Sequence, residues 1–215
     1  MRPFVVAIDG PAASGKGTLA VRLGARFSLP VLDTGLLYRA VGALVAAAGG
    51  DLDDAEAAAR AARAVDLGAL TDPSLRGHVA GEAASRVAAH AAVRAALIAH
   101  QQAFAAQPGG AVLDGRDIGT VIAPAAHAKL FVTASAQIRA VRRWRQLASA
   151  AERVSYVEVL TDILRRDARD GERAAAPMRS APDAVLLDTT DLDIDAAFDA
   201  ARRVVEAARG RWERS

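Results

Sequence analysis

The stretch FVVAIDGPAASGKGTLAVRLGARF, residues 4–27, constrains the fold more than any other part of the chain. Its first six residues are apolar and rich in β-branched side chains, which suits a strand buried on both faces. Leu19, Leu23 and Phe27 then recur at i, i+4 and i+8, the packed face of a helix. Between them, glycines 10, 15 and 17 let backbone N–H groups turn inward on a phosphate, with the N-terminus of the following helix behind them. Strand, glycine loop and helix are the context in which the spacing G-x-x-x-x-G-K reads as a phosphate-binding loop. One position departs from the usual pattern. Gly17 stands where a Ser or Thr hydroxyl normally holds Mg²⁺, and the hydroxyl comes one residue later, at Thr18.

The cations sharpen this reading. Of 27 Lys plus Arg, only Lys16 and Lys129 are lysine. A chain that uses arginine almost everywhere has kept a compact ammonium in the glycine loop, where a planar guanidinium would not fit between phosphates. The absence of cysteine excludes disulfides, thiol catalysis and zinc–thiolate sites. A net charge of +2 does not indicate a large nucleic-acid surface. The apolar run at 4–8 is too short for a signal peptide, and no uncharged apolar stretch reaches membrane-spanning length, so a soluble cytoplasmic protein is expected.

Further along, PVLD (30–33), the strand in GGAVLDGRDIG (109–119), AKLFVTAS (128–135) and DAVLLDTT (183–190) read as short strands. Helical patterns separate them. TGLLYRAVGALVAAA (34–48) opens with Thr34 as its cap, and an alanine-rich helix follows at 53–66. Residues 68–81, with Gly68, Pro73, Gly77 and Gly81, read as loop or weak structure. Residues 81–105 are helical, in one or two pieces by their pattern; 136–147 and 156–170 are helical around a polar junction at 149–155. A closing helix from 194 ends at Gly210. Strands alternating with helices predict an α/β fold with a parallel sheet.

Three further motifs carry charge. DGRDIGT (114–120) follows a strand, and in open α/β sheets ligands sit at the carboxyl ends of strands; a solvated loop with a local ion pair accounts for it equally well. Arg166, Arg169, Asp170 and Arg173 occupy 0, 3, 4 and 7, the stripe a helix normally keeps apolar. Taken alone, that stripe reads more simply as an exposed helix with i,i+4 salt bridges, interrupted by Gly171. Arg139, Arg142 and Arg143 form either a phosphate clamp on a mobile lid or, more simply, a basic solvent face. The four histidines, at 78, 90, 100 and 127, are scattered and read as structural.

Taken in order, DGPAASGKGT, LDTGLLYR, AASRVAAHAAVR, DGRDIGTV, RRWRQL, RRDARDGERAAAP and LLDTT resemble the bacterial cytidylate kinase family over nearly the whole chain. The resemblance implies a P-loop kinase three-layer fold: a five-stranded parallel sheet flanked by helices, with a shortened NMP-binding insert and a short lid. It implies a core at about 1–35 and 108–215, an NMP-binding subdomain at about 36–107 and a lid at about 142–155. It implies transfer of the γ-phosphoryl group of ATP to CMP or dCMP by a cytoplasmic monomer that engages neither nucleic acid nor membrane. The G-K-G-T ending is common to nucleoside monophosphate kinases, so Gly17 is expected. Mg²⁺ then arrives with ATP, with Thr18 as the one candidate protein ligand.

Residue by residue, the resemblance assigns Gly10, Pro11, Ala12, Ala13, Ser14, Gly15, Lys16, Gly17 and Thr18 to ATP. Thr34 and Arg39 approach the monophosphate, supported by Asp33 and Tyr38. Ser85, Arg94 and Asp117 face the cytosine ring, and Arg116 touches phosphate. Arg166 and Asp170 contact the ribose, while Arg173 and Arg142 clamp phosphates; Lys16, Arg142, Arg166 and Arg173 form the catalytic set. Such a reaction needs positioning and charge neutralisation rather than a base, because the nucleophile is already a phosphate oxygen. Two other readings stay open at this point: a P-loop kinase for AMP or UMP, and a nucleotide-binding regulatory protein that keeps the loop for stability.

Overall fold

The computed structural model describes residues 2–215, apart from the side chains of residues 67 and 69. Five strands form one parallel sheet: β1 (Phe4–Asp9), β2 (Val31–Asp33), β3 (Gly110–Gly115), β4 (Ala128–Thr133) and β5 (Val185–Asp188). Their order is β2-β3-β1-β4-β5. β1 is buried along its whole length, as a central parallel strand must be. Its alternate side chains feed two cores. Phe4, Val6 and Ile8 pack with Leu19, Leu23 and Phe27 of α1 (Lys16–Phe27) and with Ala197, Ala201 and Val205 of α8 (Ile194–Glu213). Val5 and Ala7 pack on the opposite face with Leu113, Ile118, Ile122 and Ala105.

Register decides what gathers at the sheet's carboxyl edge. Asp9 pairs with Gly115, Asp33 with Asp114, and Thr133 with Asp188. Four aspartates therefore end up along one rim, at the end where α/β folds place ligands.

Between β2 and β3 the chain forms a helical insert with a core of its own. It comprises α2 (Thr34–Ala47), α3 (Ala55–Arg63), α4 (His78–Val87) and α5 (Ala91–Ala105). Leu37, Val41, Val45, Ala58, Ala62, Val87 and Leu97 form its centre. After β4, α6 (Ala136–Ser149) and α7 (Tyr156–Glu172) enclose a smaller cluster of Ala140, Leu147, Val159 and Ile163. Ser155 starts α7 with a reciprocal capping box to Glu158, which explains the polar junction in the sequence.

The α/β class, the five strands and the parallel pairing match the sequence reading, and several local expectations do not. The cap of α2 is Asp33, whose carboxylate accepts from the Gly35 N–H at 2.9 Å. The Thr34 hydroxyl is buried and donates instead to the Asp114 carbonyl at 2.8 Å. Residues 67–76 are not irregular but form two 3₁₀ turns, Leu67–Thr71 and Pro73–Arg76, and α4 already begins at His78. Gly81 sits inside that helix for lack of bulk: a Cβ there would lie 3.3 Å from Arg166 Nη1. Gly171 does not stop α7, which runs to Glu172, and α8 passes through Gly210 to Glu213. The helical stretch 81–105 is divided at residues 88–90, in keeping with its two-piece pattern.

Gly110 is where β3 joins the central pairing. Its φ is +97°, and a Cβ would fall 2.0 Å from the Phe4 carbonyl oxygen and 2.4 Å from the Phe4 nitrogen. Strain of this kind costs about 1–3 kcal/mol per residue. The Gly110→Ala variant should therefore melt lower by roughly 2–12 °C for a domain of this size. An unchanged melting curve in circular dichroism would show that the edge yields without cost.

Candidate functional site

A cleft of about 1200 Å³ opens over the carboxyl edge of the sheet. That exceeds the roughly 300–1,000 Å³ typical of a single small-ligand pocket. One wall is residues 12–18 and the start of α2, the other α4 and α7, and the floor is residues 114–117.

The glycine loop delivers unsatisfied amides to this cleft. Gly15, with φ +97°, caps α1 without any side-chain bond, so the first turn of α1 points free N–H groups outward. Lys16 is only 5% exposed; its Nζ donates to the Pro11 carbonyl at 3.0 Å and lies 3.8 Å from Asp114 Oδ1. Burial pulls the Lys16 pKa well below the usual lysine value and Arg116 adds repulsion, against the attraction of Asp114, Asp33 and Asp9. Burial likewise pushes Asp114 up, opposed chiefly by Lys16. Gly17 has a steric reason in this setting: a Cβ there would approach Asp114 Oδ2 at 3.3 Å.

Opposite the loop lies a web of arginines and aspartates. Arg94 pairs with Asp117, both nearly inaccessible, and Arg94 lies 5.6 Å from the Tyr38 ring centroid. Arg116 Nε donates to Asp170 at 2.9 Å. Arg173 reaches Asp117 at 3.7 Å and Asp170 at 3.8 Å. Burial alone would raise the Asp170 pKa, but Arg116, Arg173 and Arg166 outweigh it and hold it below the usual carboxylate value. The loop that carries Asp117 is fixed from below. Asp9 accepts from the Ile118 and Gly119 N–H groups, each at 2.7 Å, although burial pushes its own pKa up to about 6.

The positive side of this web is in excess. Arg39 donates only to main-chain carbonyls, those of Leu75 (2.7 Å) and Gly77 (3.3 Å). Burial, with repulsion from Arg143, lowers its pKa to about 10. Burial, with repulsion from Arg116, lowers Arg166 to about 10. Ser14 Oγ, Arg166 Nε and Arg173 Nη2 are buried with no hydrogen-bond partner among the described residues. Each such group costs about 1–3 kcal/mol. Crowded cations with idle donors, facing a helix N-terminus across a cavity, suit multiply charged oxyanions.

Nearly every site residue expected from the sequence lies on this cleft: Ala12 to Thr18, Asp33, Thr34, Tyr38, Arg39, Ser85, Arg94, Arg116, Asp117, Arg142, Arg166, Asp170 and Arg173. Gly10 and Pro11 do not; they form the back of the loop, against Val132 and Lys16 respectively. Arg142 reaches the wall but is engaged with Thr189 (Oγ1 at 2.9 Å, carbonyl at 2.6 Å). Arg139 is neither lid clamp nor solvent face. It is 4% exposed, bonds the carbonyls of Ala12 (3.2 Å) and Ala134 (2.8 Å), and pairs with Asp167. Arg169 leaves the expected stripe and turns to α4. The histidines have structural partners where bonds are described: His78 with Asp162, His90 with the Leu52 carbonyl, His127 with the Val5 N–H. Sequence reasoning missed Asp9, gave Asp114 no role of its own within DGRDIGT, and misplaced Arg139. For the aspartates, their position at the ends of apolar strands was the available signal.

Comparison with known proteins bears on this cleft directly. The family model described as Cytidylate kinase matches residues 6–207. A cytidylate kinase of Xanthobacter autotrophicus is 63% identical over 96% of this chain and 99% of its own length. One from Caulobacter vibrioides is 61% identical over 97% and 98%. Among solved structures, an uncharacterized protein from Eubacterium ventriosum superposes with a TM-score of 0.56 over 96% of this chain and 99% of that chain, at 12% identity. That likeness concerns the fold alone.

The lowered pKa of Lys16 has a kinetic signature. Burial lets Lys16 lose its proton at about 8, well below the usual lysine value, whereas a bound polyphosphate stabilises the cation and moves the loss upward. The kcat/KM for a nucleoside triphosphate should therefore fall on an alkaline limb at lower pH than kcat does. Coincident limbs in the two pH profiles would contradict this.

Proposed function

The chain belongs to the cytidylate kinase family, and we propose from that premise how the cleft carries out its reaction. The reaction is transfer of the γ-phosphoryl group of ATP to CMP, giving CDP and ADP, with dCMP as the alternative acceptor. The single observation that carries the site assignment is the excess of buried cations and idle donors facing the α1 N-terminus.

ATP phosphates lie against the amides of residues 12–18, with Lys16 reaching the β and γ groups. CMP sits opposite. Its phosphate meets Arg39, Arg173 and also Arg166, which the resemblance gave to the ribose; burial lowers the pKa of all three, and Arg166 Nε and Arg173 Nη2 have no hydrogen-bond partner among the described residues. Its base meets Asp117, Arg94 and Ser85, and its ribose meets Asp170. Cytosine presents an amine donor and a ring-nitrogen acceptor, which suit a carboxylate and an arginine. Uracil reverses that pattern and would leave a buried group unpaired, at about 1–3 kcal/mol. The acceptor nucleophile is a phosphate oxygen, so this chain's residues supply positioning and charge rather than a base. The Thr18 hydroxyl on the wall and the Asp114 carboxylate behind it are hard oxygen donors suited to Mg²⁺. Thr18 would hold the ion, directly or through water, and the ion would neutralise charge on the transferring phosphate.

The separate core of the insert supports reading residues 36–107 as the NMP-binding subdomain on a core of 1–35 and 108–215, with 142–155 as a lid. Closure of both over the nucleotides would exclude water. The same reading makes the protein a cytoplasmic monomer acting on free nucleotides. No helix among the described residues is long and apolar enough to cross a membrane.

A coupled ADP-release assay over CMP, dCMP, UMP, AMP, GMP and shikimate tests the assignment. CMP and dCMP should turn over fastest; a better acceptor elsewhere in the panel would reassign the base pocket. The Lys16→Ala enzyme should keep its fold and lose about 10²–10³ in kcat, so near-normal turnover would remove the lysine from the mechanism. Asp170→Asn should raise KM for CMP about tenfold and leave KM for dCMP nearly unchanged, since a bond to a charged acceptor contributes about 1.5–3 kcal/mol. Equal effects on both acceptors would cancel the ribose assignment.

A further inference from the structure

Arg169 stands outside the cleft, yet it holds one of the cleft's residues. Its Nη1 donates to Ser85 Oγ at 2.6 Å, and its Nη2 to Glu82 Oε1 at 3.0 Å. Ser85 and Glu82 lie one turn apart on α4, so a single guanidinium fork from α7 spans them. Arg165 lies 3.6 Å from the other Glu82 oxygen, too far for a hydrogen bond. Ser85 itself is 6% exposed and forms part of the cleft wall beside Arg94 and Asp117.

A guanidinium has five donors and no acceptor, so the bond leaves Ser85 no choice: its oxygen must accept. One lone pair is occupied and the hydroxyl is confined to one staggered position about χ1. An unheld serine would hop among rotamers and present its oxygen in place only part of the time. The held serine presents an oxygen with a free lone pair, already in place for an exocyclic amine that also meets Asp117. An oxo group at that position would face the acceptor-only Asp117 carboxylate, so the oxygen that Arg169 places serves the amino-bearing base.

We propose that Arg169 is a specificity-positioning residue for the acceptor base, acting through Ser85 to favour an amino-bearing over an oxo-bearing pyrimidine. This rests on the reading above in which Ser85 faces the base. Arg169 touches neither nucleotide, so its effect falls on KM and on acceptor choice rather than on the transfer step.

The test is a double-mutant cycle read in kcat and KM for CMP and UMP on four enzymes: wild type, Ser85→Ala, Arg169→Ala and the double variant. Arg169→Ala should raise KM for CMP by about 3–10-fold, the range one hydrogen bond contributes, with kcat within about twofold of wild type. It should lower the CMP-over-UMP ratio of kcat/KM as much as Ser85→Ala does, and the double variant should fall no further. Equal losses for CMP and UMP, a loss confined to kcat, or additive effects of the two substitutions would each overturn the proposal and leave Arg169 a strut between α4 and α7. If Ser85→Ala lowers the ratio and Arg169→Ala does not, the proposal fails alone. If Ser85→Ala leaves the ratio at the wild-type value, the base reading of Ser85 fails and takes the proposal with it. Arg169→Gln, which keeps bulk but loses the fork and the charge, gives the same comparison should the alanine variant not fold.

Discussion

The parallel pairing of β1 with β3 is the constraint on which the site depends. Its register sets Asp9 opposite Gly115, and the pairing of β2 with β3 sets Asp33 opposite Asp114. Slipping either register would scatter these carboxylates along the strands and turn alternate side chains to the wrong face. With the register held, Asp9 can brace the amides of Ile118 and Gly119, and Asp114 can lie beside Lys16. The loop bearing Asp117 and the loop bearing Lys16 are thus held from the same rim of the same sheet.

The electrostatics of the cleft follow from placing so many charges over that rim. Asp9 and Asp114 are buried there and are driven toward neutrality by that burial. Arg39 and Arg166 are half-buried and are weakened in the same way. Arg116 shows the balance when it closes: burial works against its charge, but Asp170 and Asp114 prevail and raise its pKa. Arg39 and Arg166 show it when it stays open. Under the proposed function, phosphate groups would supply the anions these half-buried cations lack, so affinity for the nucleotides and the electrostatic imbalance of the cleft would be one quantity viewed from two ends.

The sequence made the sheet legible because buried parallel strands must be apolar runs, and the phosphate loop legible because close backbone approach demands glycine in a fixed spacing. It concealed features whose reasons are long-range. Gly81 resembles a helix breaker until Arg166 is seen lying against it. Arg139 resembles its neighbours in RAVRRWR, and only the fold tells that it is buried under the loop and holds the Ala12 carbonyl. Thr34 and Asp33 are both good caps by type; the demand of the Asp114 carbonyl for a donor decides between them. In the stripe at 166–173, spacing alone favoured an exposed helix with salt bridges, whereas Arg166, Asp170 and Arg173 line the cleft and Arg169 answers to the polar face of α4, which no local pattern announces.

The two lysines share an arrangement that spacing did not foretell. Lys16 and Lys129 each donate to the carbonyl of a proline five residues earlier, Pro11 and Pro124, and each faces an aspartate, Asp114 or Asp183. Both are under 10% exposed, and every other basic side chain except histidine is arginine. The described surface therefore carries almost no side-chain amine. A small acylating reagent meets a protein with one lysine, Lys16, on the wall of the cleft, so labelling at that residue becomes a readout of whether the cleft is occupied, without any engineered probe.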